Sequence, residues 1–309
     1  MAAPLRILLT GARGQLGRDM ADLLTTGVAV GGRPPGEQTL LSAWRPGSVE
    51  VLATNSDTMD LAQRDVIFDT VYSFRPDVIL HGGAYTAVDA AETEVDAAWR
   101  INAMGTRHLA EAAVKVGAHV VYVSTDYVFD GTKKAPYLEW DQTHPVSVYG
   151  ASKRGGEQEV LAIAGASATV VRTSWVNGAH GANMVKTALR LAAGDGILRF
   201  VDDQHGCPTF TADLAEAVIR LGLDRRPGIF HVTNQGETTW FGFVRATLAA
   251  AGHDPGRVEP IATGDLDPPR PAPRPANSRL ENAALRLSGL PMLPEWTDGL
   301  ARLVGALTS

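Results

Sequence analysis

Apolar residues fall along this chain in two alternating rhythms. Short continuous runs at Leu5 to Leu9, Val49 to Thr54, Asp77 to His81, Val120 to Val123 and Thr169 to Arg172 read as strands buried on both faces. Between them, apolar positions recur at helical spacing: up to Leu24 after the first run, from Glu94 to Gly117, and from Tyr149 to about Ala164. Strand and helix in alternation predict an α/β fold with a doubly wound parallel sheet. Beyond Val176 the rhythm loosens. Helices are predicted at Asn183 to Ala193, Thr211 to Leu223 with Thr211 as N-cap, and Thr238 to Ala251. Ile197 to Val201 is a short apolar run, and Gly228 to Val232 reads as a strand returning to the main sheet. Residues 1–175, with 211–235 returning to them, form one predicted domain, and residues 176–210 with 236–309 form a smaller C-terminal α/β lobe. The proline-rich stretch Asp265 to Pro275 reads as an ordered loop of that lobe.

Composition narrows the class of protein. The chain has 309 residues, 45% hydrophobic and 20% charged, so a globular core is affordable and disorder is excluded. A net charge of -6 and the absence of any basic block argue against a duplex nucleic-acid partner. Cys207 is the single cysteine, which rules out an intrachain disulfide and a cysteine-based metal site. No stretch has the length of a membrane span, and the first apolar run is interrupted by Arg6, unlike a secretion signal. A cytoplasmic enzyme is the expectation.

Candidate chemistry sits at the ends of the predicted strands. After the first run stands Thr10-Gly11-Ala12-Arg13-Gly14-Gln15-Leu16-Gly17. A strand, a glycine turn and a helix make a dinucleotide cradle: Gly11 permits the turn, Gly14 lets backbone approach a pyrophosphate, and Gly17 lets helix pack on strand. This is a Rossmann-type arrangement. The second strand has two readings. If it is Val49 to Thr54, Asn55-Ser56 stands where an acidic residue would bind a ribose 2′-hydroxyl, which tilts the cofactor toward NADPH. If it is Val28 to Gly32, Arg33 is placed to meet a 2′-phosphate. Gly27 to Gly47 otherwise reads as an insertion with one helical turn around Thr39 to Trp44.

The fourth run leads into Ser124-Thr125-Asp126-Tyr127-Val128-Phe129, followed by Tyr149-Gly150-Ala151-Ser152-Lys153. On a helix, Tyr149 and Lys153 share a face. A phenol titrates near ~10 in water, and an ammonium beside it would pull that value down, so Tyr149 would exchange a proton at working pH. Thr125 or Ser124 is placed to hold the oxygen being protonated. Trp175 reads either as core packing or as a flat wall, Arg274 either as a diphosphate ligand or as a solvated arginine in a proline loop. Asn102 reads either as an orienter of backbone near the site or as a local hydrogen-bond terminus. His81 and His205 receive no catalytic role.

With these motifs, joined by Ala84-Tyr85-Thr86-Ala87-Val88-Asp89, Arg172-Thr173-Ser174-Trp175, Asp203-Gln204 through Pro208-Thr209 and Arg274-Pro275-Ala276-Asn277-Ser278, the chain resembles the dTDP-4-dehydrorhamnose reductases. These are extended short-chain dehydrogenase/reductases, and the resemblance runs from Leu5 to about Trp296. It implies NADPH-dependent reduction of the C4 ketone of a dTDP-linked 4-keto-6-deoxy sugar, with NADH as an alternative reductant. By that resemblance Tyr149 is the proton donor, Lys153 holds the nicotinamide ribose and lowers the Tyr149 pKa, and Thr125 bonds the reacting oxygen. The cofactor would touch Gly11, Gly14, Gln15, Leu16, Gly17, Asp60, Leu61, Ala84, Tyr85 and Thr86, besides Tyr149 and Lys153. The sugar nucleotide would meet Thr125, Asp126, Tyr127, Ser174, Trp175 and Arg274. A homodimer is left open.

The chain departs from the resemblance in three places. The Gly27 to Gly47 insertion disturbs the adenosine side. Some members share a magnesium ion at a dimer contact through glutamates of the first helix and the C-terminal lobe; here Asp19 has no matching pair, and no such metal site is expected. Cys207 replaces an expected serine or alanine, near enough to the cleft for alkylation to inhibit. Rival functions remain: a sibling ketoreductase for another deoxysugar, an epimerase or 4,6-dehydratase on the same fold, and a non-catalytic cofactor-binding subunit. Tyr127 where a dehydratase carries glutamate weighs against dehydration, and intact Tyr149 and Lys153 weigh against the subunit.

Overall fold

The structure is a computed structural model that describes residues 4–33 and 49–309. In chain order its elements are β1 Leu5–Thr10, α1 Gln15–Thr26, β2 Val49–Thr54, α2 Arg64–Phe74, β3 Val78–His81, α3 Val88–Ala91, α4 Val95–Trp99, α5 Thr106–Val116, β4 His119–Thr125, α6 Val148–Ala164 and β5 Ala168–Thr173. There follow β6 Val176–Asn177, α7 Met184–Ala192, β7 Leu198–Val201, β8 His205–Gly206, β9 Thr209–Phe210, α8 Thr211–Leu223 and β10 Gly228–His231. The last are β11 Thr238–Thr239, α9 Trp240–Ala250, β12 Val258–Ile261, α10 Ala283–Leu287 and α11 Trp296–Thr308. A π-helical turn, Arg100–Gly105, joins α4 to α5.

Six strands form one sheet in the order β10-β5-β4-β3-β1-β2, all paired in parallel. The strands are near-continuous apolar runs because both faces are covered. One core packs Ile7, Leu9, Leu80, Val121 and Val171 against Met20 and Leu23 of α1 and Leu214, Val218 and Leu221 of α8. The other packs Leu8, Ile79, Val120, Tyr122 and Val170 against Ile67 and Val71 of α2, Leu109 and Ala113 of α5, and Val160 of α6. This is the doubly wound sheet expected from the sequence. β10 closes it beside β5, as anticipated for Gly228 to Val232.

The strand order reverses between β1 and β3. Connections from these two strands leave in opposite directions, and a crevice opens beyond their carboxyl ends where such sheets take their ligands. The smaller C-terminal part carries three two-stranded sheets, β11-β8, β12-β7 and β6-β9, around α7, α9 and α11.

One detail corrects the sequence reading, and another decides between its alternatives. Phe210, not Thr211, occupies the N-cap of α8; Thr211 is the first helical residue, and its hydroxyl donates to the Asn177 carbonyl at 3.4 Å. Of the two readings of the second strand, Val49–Thr54 is the one that pairs with β1, while Val28 to Gly32 forms no strand. Arg33 accordingly faces Asp213 and Glu216, on the α8 side of the sheet. The helical turn expected around Thr39 to Trp44 lies outside the described residues.

Candidate active site

The turn after β1 is built by steric necessity. Gly11 has φ of 72°, and a side-chain carbon there would stand 2.7 Å from the Gly83 nitrogen at the end of β3. At Gly17 such a carbon would lie 2.1 Å from the Gly11 oxygen, so helix α1 could not reach the turn. Helix α1 begins with neither a capping side chain nor an acid in its first turn. Its first amides and the positive end of its dipole are thus left for an anion.

Two adjoining cavities open there. The smaller, about 300 Å³, is lined by Asn55, Ser56, Asp60, Leu61 and Ile101 and shares Gly11, Arg13, Gly14, Gly82, Ala84 and Thr86 with the larger. The larger, about 620 Å³, runs on past Gln15, Leu16 and Gly17 to Thr125, Asp126, Tyr127, Tyr149, Lys153, Ser174 and Trp175. A continuous trough from an uncapped helix end to a buried polar cluster fits a dinucleotide with its reactive end at the cluster. The structure therefore brings together the expected cofactor and substrate residues, with two exceptions, Tyr85 and Arg274.

Tyr85 is turned away from the trough. Its hydroxyl donates to Glu94 Oε2 at 2.9 Å, and its backbone is held by Asn102, which accepts from the Tyr85 amide at 2.8 Å and donates to its carbonyl at 3.0 Å. Asn102 also donates to Ser152 Oγ at 2.9 Å, tying the cofactor-side loop to α6. The orienting role is the one Asn102 has. Arg274 is not solvated: its guanidinium grips Asp89, with Nη2 to Oδ2 at 2.8 Å, and it lines a third cavity beside the trough.

At the cluster, Ser147 caps α6 by accepting from the Gly150 amide at 3.2 Å, which sets Tyr149 and Lys153 on the inward face. Gly150 is required because a side-chain carbon would stand 2.1 Å from the Tyr127 oxygen. Lys153 is 2% exposed; its Nζ donates to the Val123 carbonyl at 2.7 Å and lies 4.1 Å from the centre of the Tyr122 ring. Burial pulls its pKa down to about 7, against a smaller upward pull from Glu157. Thr125 Oγ1 donates to Asp126 Oδ1 at 2.8 Å. Asp126 is 2% exposed, its Oδ2 has no partner, and burial raises its pKa to about 6.

The electrostatics of Tyr149 overturn one expectation. Its pKa is raised, first by burial and then by the Asp126 charge, with only the Thr125 hydrogen bond acting the other way. Lys153 is not among the groups that lower it here, and its ammonium bonds the Val123 carbonyl. A phenol so placed keeps its proton, which suits a donor rather than a base.

Around the cluster, Ser174 Oγ donates to the Cys207 carbonyl at 2.5 Å. Trp175 serves as both wall and packing: it lines the cavity, takes a left-handed φ of 45°, and stacks on Trp240 at 3.6 Å between centroids, 5° from parallel. Cys207 lies behind Ser174, 5% exposed, its pKa pushed up to about 11 by burial. Burial and a raised pKa both work against the alkylation anticipated at this thiol. His81 is a core residue bonded to Thr10 Oγ1 at 2.7 Å and Thr106 Oγ1 at 3.1 Å, its pKa lowered to about 3 by burial.

A third cavity, about 260 Å³, adjoins the second at Tyr127, Met184 and Trp240 and is lined also by Arg199, Gln204, Arg270 and Arg274. Trp240 and Arg199 belong to no motif singled out in the sequence, and Arg270 figures there only as part of the proline-rich loop. Nothing in a linear pattern reports that residues so far apart meet.

The sequence profile described as "RmlD substrate binding domain" matches residues 5–309. The chain belongs to the RmlD family. Its enzymes are NAD(P)-dependent reductases, and this chain is one. It is 39% identical to a dTDP-4-dehydrorhamnose reductase of Streptomyces griseus over 307 residues, covering 98% of this chain and 94% of that one. It is 36% identical over 302 residues to a dTDP-4-keto-6-deoxy-D-glucose reductase of Streptomyces niveus, covering 96% of each. Among solved structures, the dTDP-4-dehydrorhamnose reductase of Bacillus anthracis in complex with NADP is similar, with a TM-score of 0.87, 35% identity, and coverage of 97% of this chain and 99% of that one. Among the described residues of this RmlD-family chain, no helix is long and apolar enough to cross a membrane.

Proposed function

We propose that the chain reduces the C4 ketone of a dTDP-4-keto-6-deoxy sugar with NADPH, converting dTDP-4-dehydro-L-rhamnose to dTDP-L-rhamnose. The carrying observation is the convergence of Tyr149, Thr125 and Lys153 on one buried wall of the trough that begins at the uncapped end of α1. The relatives named above act on dTDP sugars, and one is solved with NADP.

The glycine turn and the α1 amides would hold the pyrophosphate, with Asn55, Ser56, Asp60 and Leu61 around the adenosine. Asn55-Ser56 at the end of β2 offers hydroxyl and amide groups without the carboxylate that would repel a 2′-phosphate, which supports NADPH. A bound nicotinamide would supply the hydride. Tyr149 gives its hydroxyl proton to O4 as the carbonyl becomes an alcohol. Thr125 Oγ1 steadies that oxygen, and the buried Asp126 carboxylate, which lines the trough, accepts from a sugar hydroxyl. Lys153 can swing from the Val123 carbonyl to the nicotinamide ribose and return positive charge to the site. Trp175 and Trp240 form the apolar wall. Arg199 and Arg270 of the third cavity supply positive charge for the diphosphate.

The Streptomyces niveus relative favours a second reading, reduction of dTDP-4-keto-6-deoxy-D-glucose itself. Loss of NADPH absorbance, measured with each sugar nucleotide and with Tyr149→Phe alongside, separates the two. Turnover of the L-configured ketone that collapses in Tyr149→Phe supports the first reading. Preference for the D-configured ketone selects the second, and no turnover of either, with NADPH still bound, rejects both.

A further inference from the structure

Asp19 is a carboxylate with no explanation in the reductase chemistry. It lies on the inward side of α1 at 0% exposure, and neither oxygen has a hydrogen-bond partner. Burial raises its pKa, and the Thr211 hydroxyl of α8, which lies 3.4 Å from the Asn177 carbonyl, offsets only part of that rise. A buried, unsatisfied carboxylate costs several kcal/mol unless something positive meets it.

Two further donors face it. Asp22, one helical turn on, shares the α1 face. His180, from the loop between β6 and α7, places Nε2 3.6 Å from Asp19 Oδ1 and 3.7 Å from Asp22 Oδ2, and that nitrogen also has no hydrogen-bond partner. All three donor atoms lie within 4.8 Å of one another. The two His180 separations are too long for hydrogen bonds, which close at about 2.7–3.2 Å. They approach the distance of about 3.4 Å between neighbouring ligands around a tetrahedral ion with bonds of about 2.0–2.1 Å.

We propose that Asp19, Asp22 and His180 form a binding site for one divalent transition-metal cation of the Zn²⁺ or Co²⁺ kind. The imidazole selects against magnesium and calcium, which prefer oxygen alone. Asp22 and His180 reach the surface, so water can complete the coordination and the ion has an entry path. All three ligands come from one chain, which separates this site from a metal shared at a dimer contact.

The ion would act as a tether. It joins α1, whose first turn faces the cofactor trough, to the loop whose Gly181 and Ala182 line the same trough. Asn183 already bonds that loop to Gln15 Oε1 at 2.8 Å. No step of the reduction passes through the metal.

The test uses the full chain without an affinity tag, stripped with chelator and titrated with Co²⁺ and then Zn²⁺. One equivalent per chain should bind, with a visible Co²⁺ absorption band that Zn²⁺ displaces and a rise in Tm that grows with metal concentration. His180→Gln and Asp22→Asn, both at partly exposed positions, should each weaken binding by at least about tenfold while the stripped variants keep the parent's circular dichroism. Asp19→Asn should abolish binding and raise the Tm of the stripped protein by relieving the buried charge. The proposal is overturned if no saturable binding occurs, if binding persists unchanged in His180→Gln and Asp22→Asn, or if His180→Gln lowers the stripped protein's Tm with no metal response in the parent, the mark of a plain ion pair.

Discussion

Arg274 and Asp89 meet across 185 residues of sequence, with Nη2 2.8 Å from Oδ2 and the Ala272 amide donating to the same carboxylate at 3.1 Å. Asp89 belongs to the segment after β3 that borders the cofactor trough, and Arg274 to the proline-rich loop that lines the third cavity. The pair also holds Arg274 beside Tyr127, which lines both the second and third cavities. It is a clasp between the two halves of the site.

Breaking the clasp should therefore act on substrate binding more than on chemistry. Asp89→Asn should raise the KM for the sugar nucleotide about tenfold with a smaller change in kcat, and Arg274→Lys should rescue little, because lysine cannot make the forked contact. Steady-state kinetics at fixed saturating NADPH reads this out. The Asp89 pKa is lowered to about 2, chiefly by its hydrogen bond with Arg274. A depressed carboxylate stabilises the folded state above its unfolded value near ~4, and that contribution is lost as pH falls toward 2. The clasp should thus be insensitive to pH across the neutral range. A KM effect of Asp89→Asn that disappears between pH 6 and pH 8, taken as about neutral, would count against it.

Asp126 trades stability for function. Its pKa rises from 3.8 to about 6 on folding, so the folded state holds the extra proton between those values and stability falls as pH climbs through that window. Asp126→Asn should raise stability by about 2–3 kcal/mol above pH 6 and change little below pH 4. Urea unfolding at the two pH values measures this. Turnover should fall by about tenfold or more with the loss of the anionic acceptor. A variant no more stable at high pH than its parent would contradict the account.

Beneath the proton donor lies a buried ion pair. Arg172 Nε and Nη2 bond Glu157 at 2.9 and 2.8 Å, and Ser124 Oγ donates to the same carboxylate at 2.6 Å. Glu157 follows Lys153 by one turn of α6 and supports its charged form. The Lys153 ammonium is lost as pH rises through about 7, so removing the Glu157 charge should move the alkaline limb of kcat/KM to lower pH. Glu157→Gln should also cost about 3–5 kcal/mol by stranding Arg172. Pairing it with Arg172→Met should recover much of that stability without restoring the pH profile. An unmoved alkaline limb in the folded double variant would reduce Glu157 to a structural part.

Cys207 should resist thiol reagents in the native protein and react only as the chain opens. Its burial and raised pKa leave almost no exposed thiolate at neutral pH. Labelling rates with and without denaturant test this. Rapid native labelling with loss of activity would restore the sequence-based view of Cys207 as a cleft residue.

Local pattern determined a great deal of this protein. The glycine turn, the five buried runs, the Tyr149 and Lys153 face of α6 and the return of Gly228 to Val232 are all set by short-range sterics and periodicity, and these are legible in a linear sequence. The family follows from the same motifs. Tertiary structure alone decided where long side chains spend their charges. Arg274 pairs with Asp89, Arg33 faces Asp213 and Glu216, Lys153 bonds the Val123 carbonyl, and Tyr85 turns to Glu94. It also raised the Tyr149 pKa where the sequence pointed to a lowered one, because desolvation depends on everything packed around a group. The partners of a charge, and the depth at which it is buried, come from residues far away in sequence, and no local spacing encodes them.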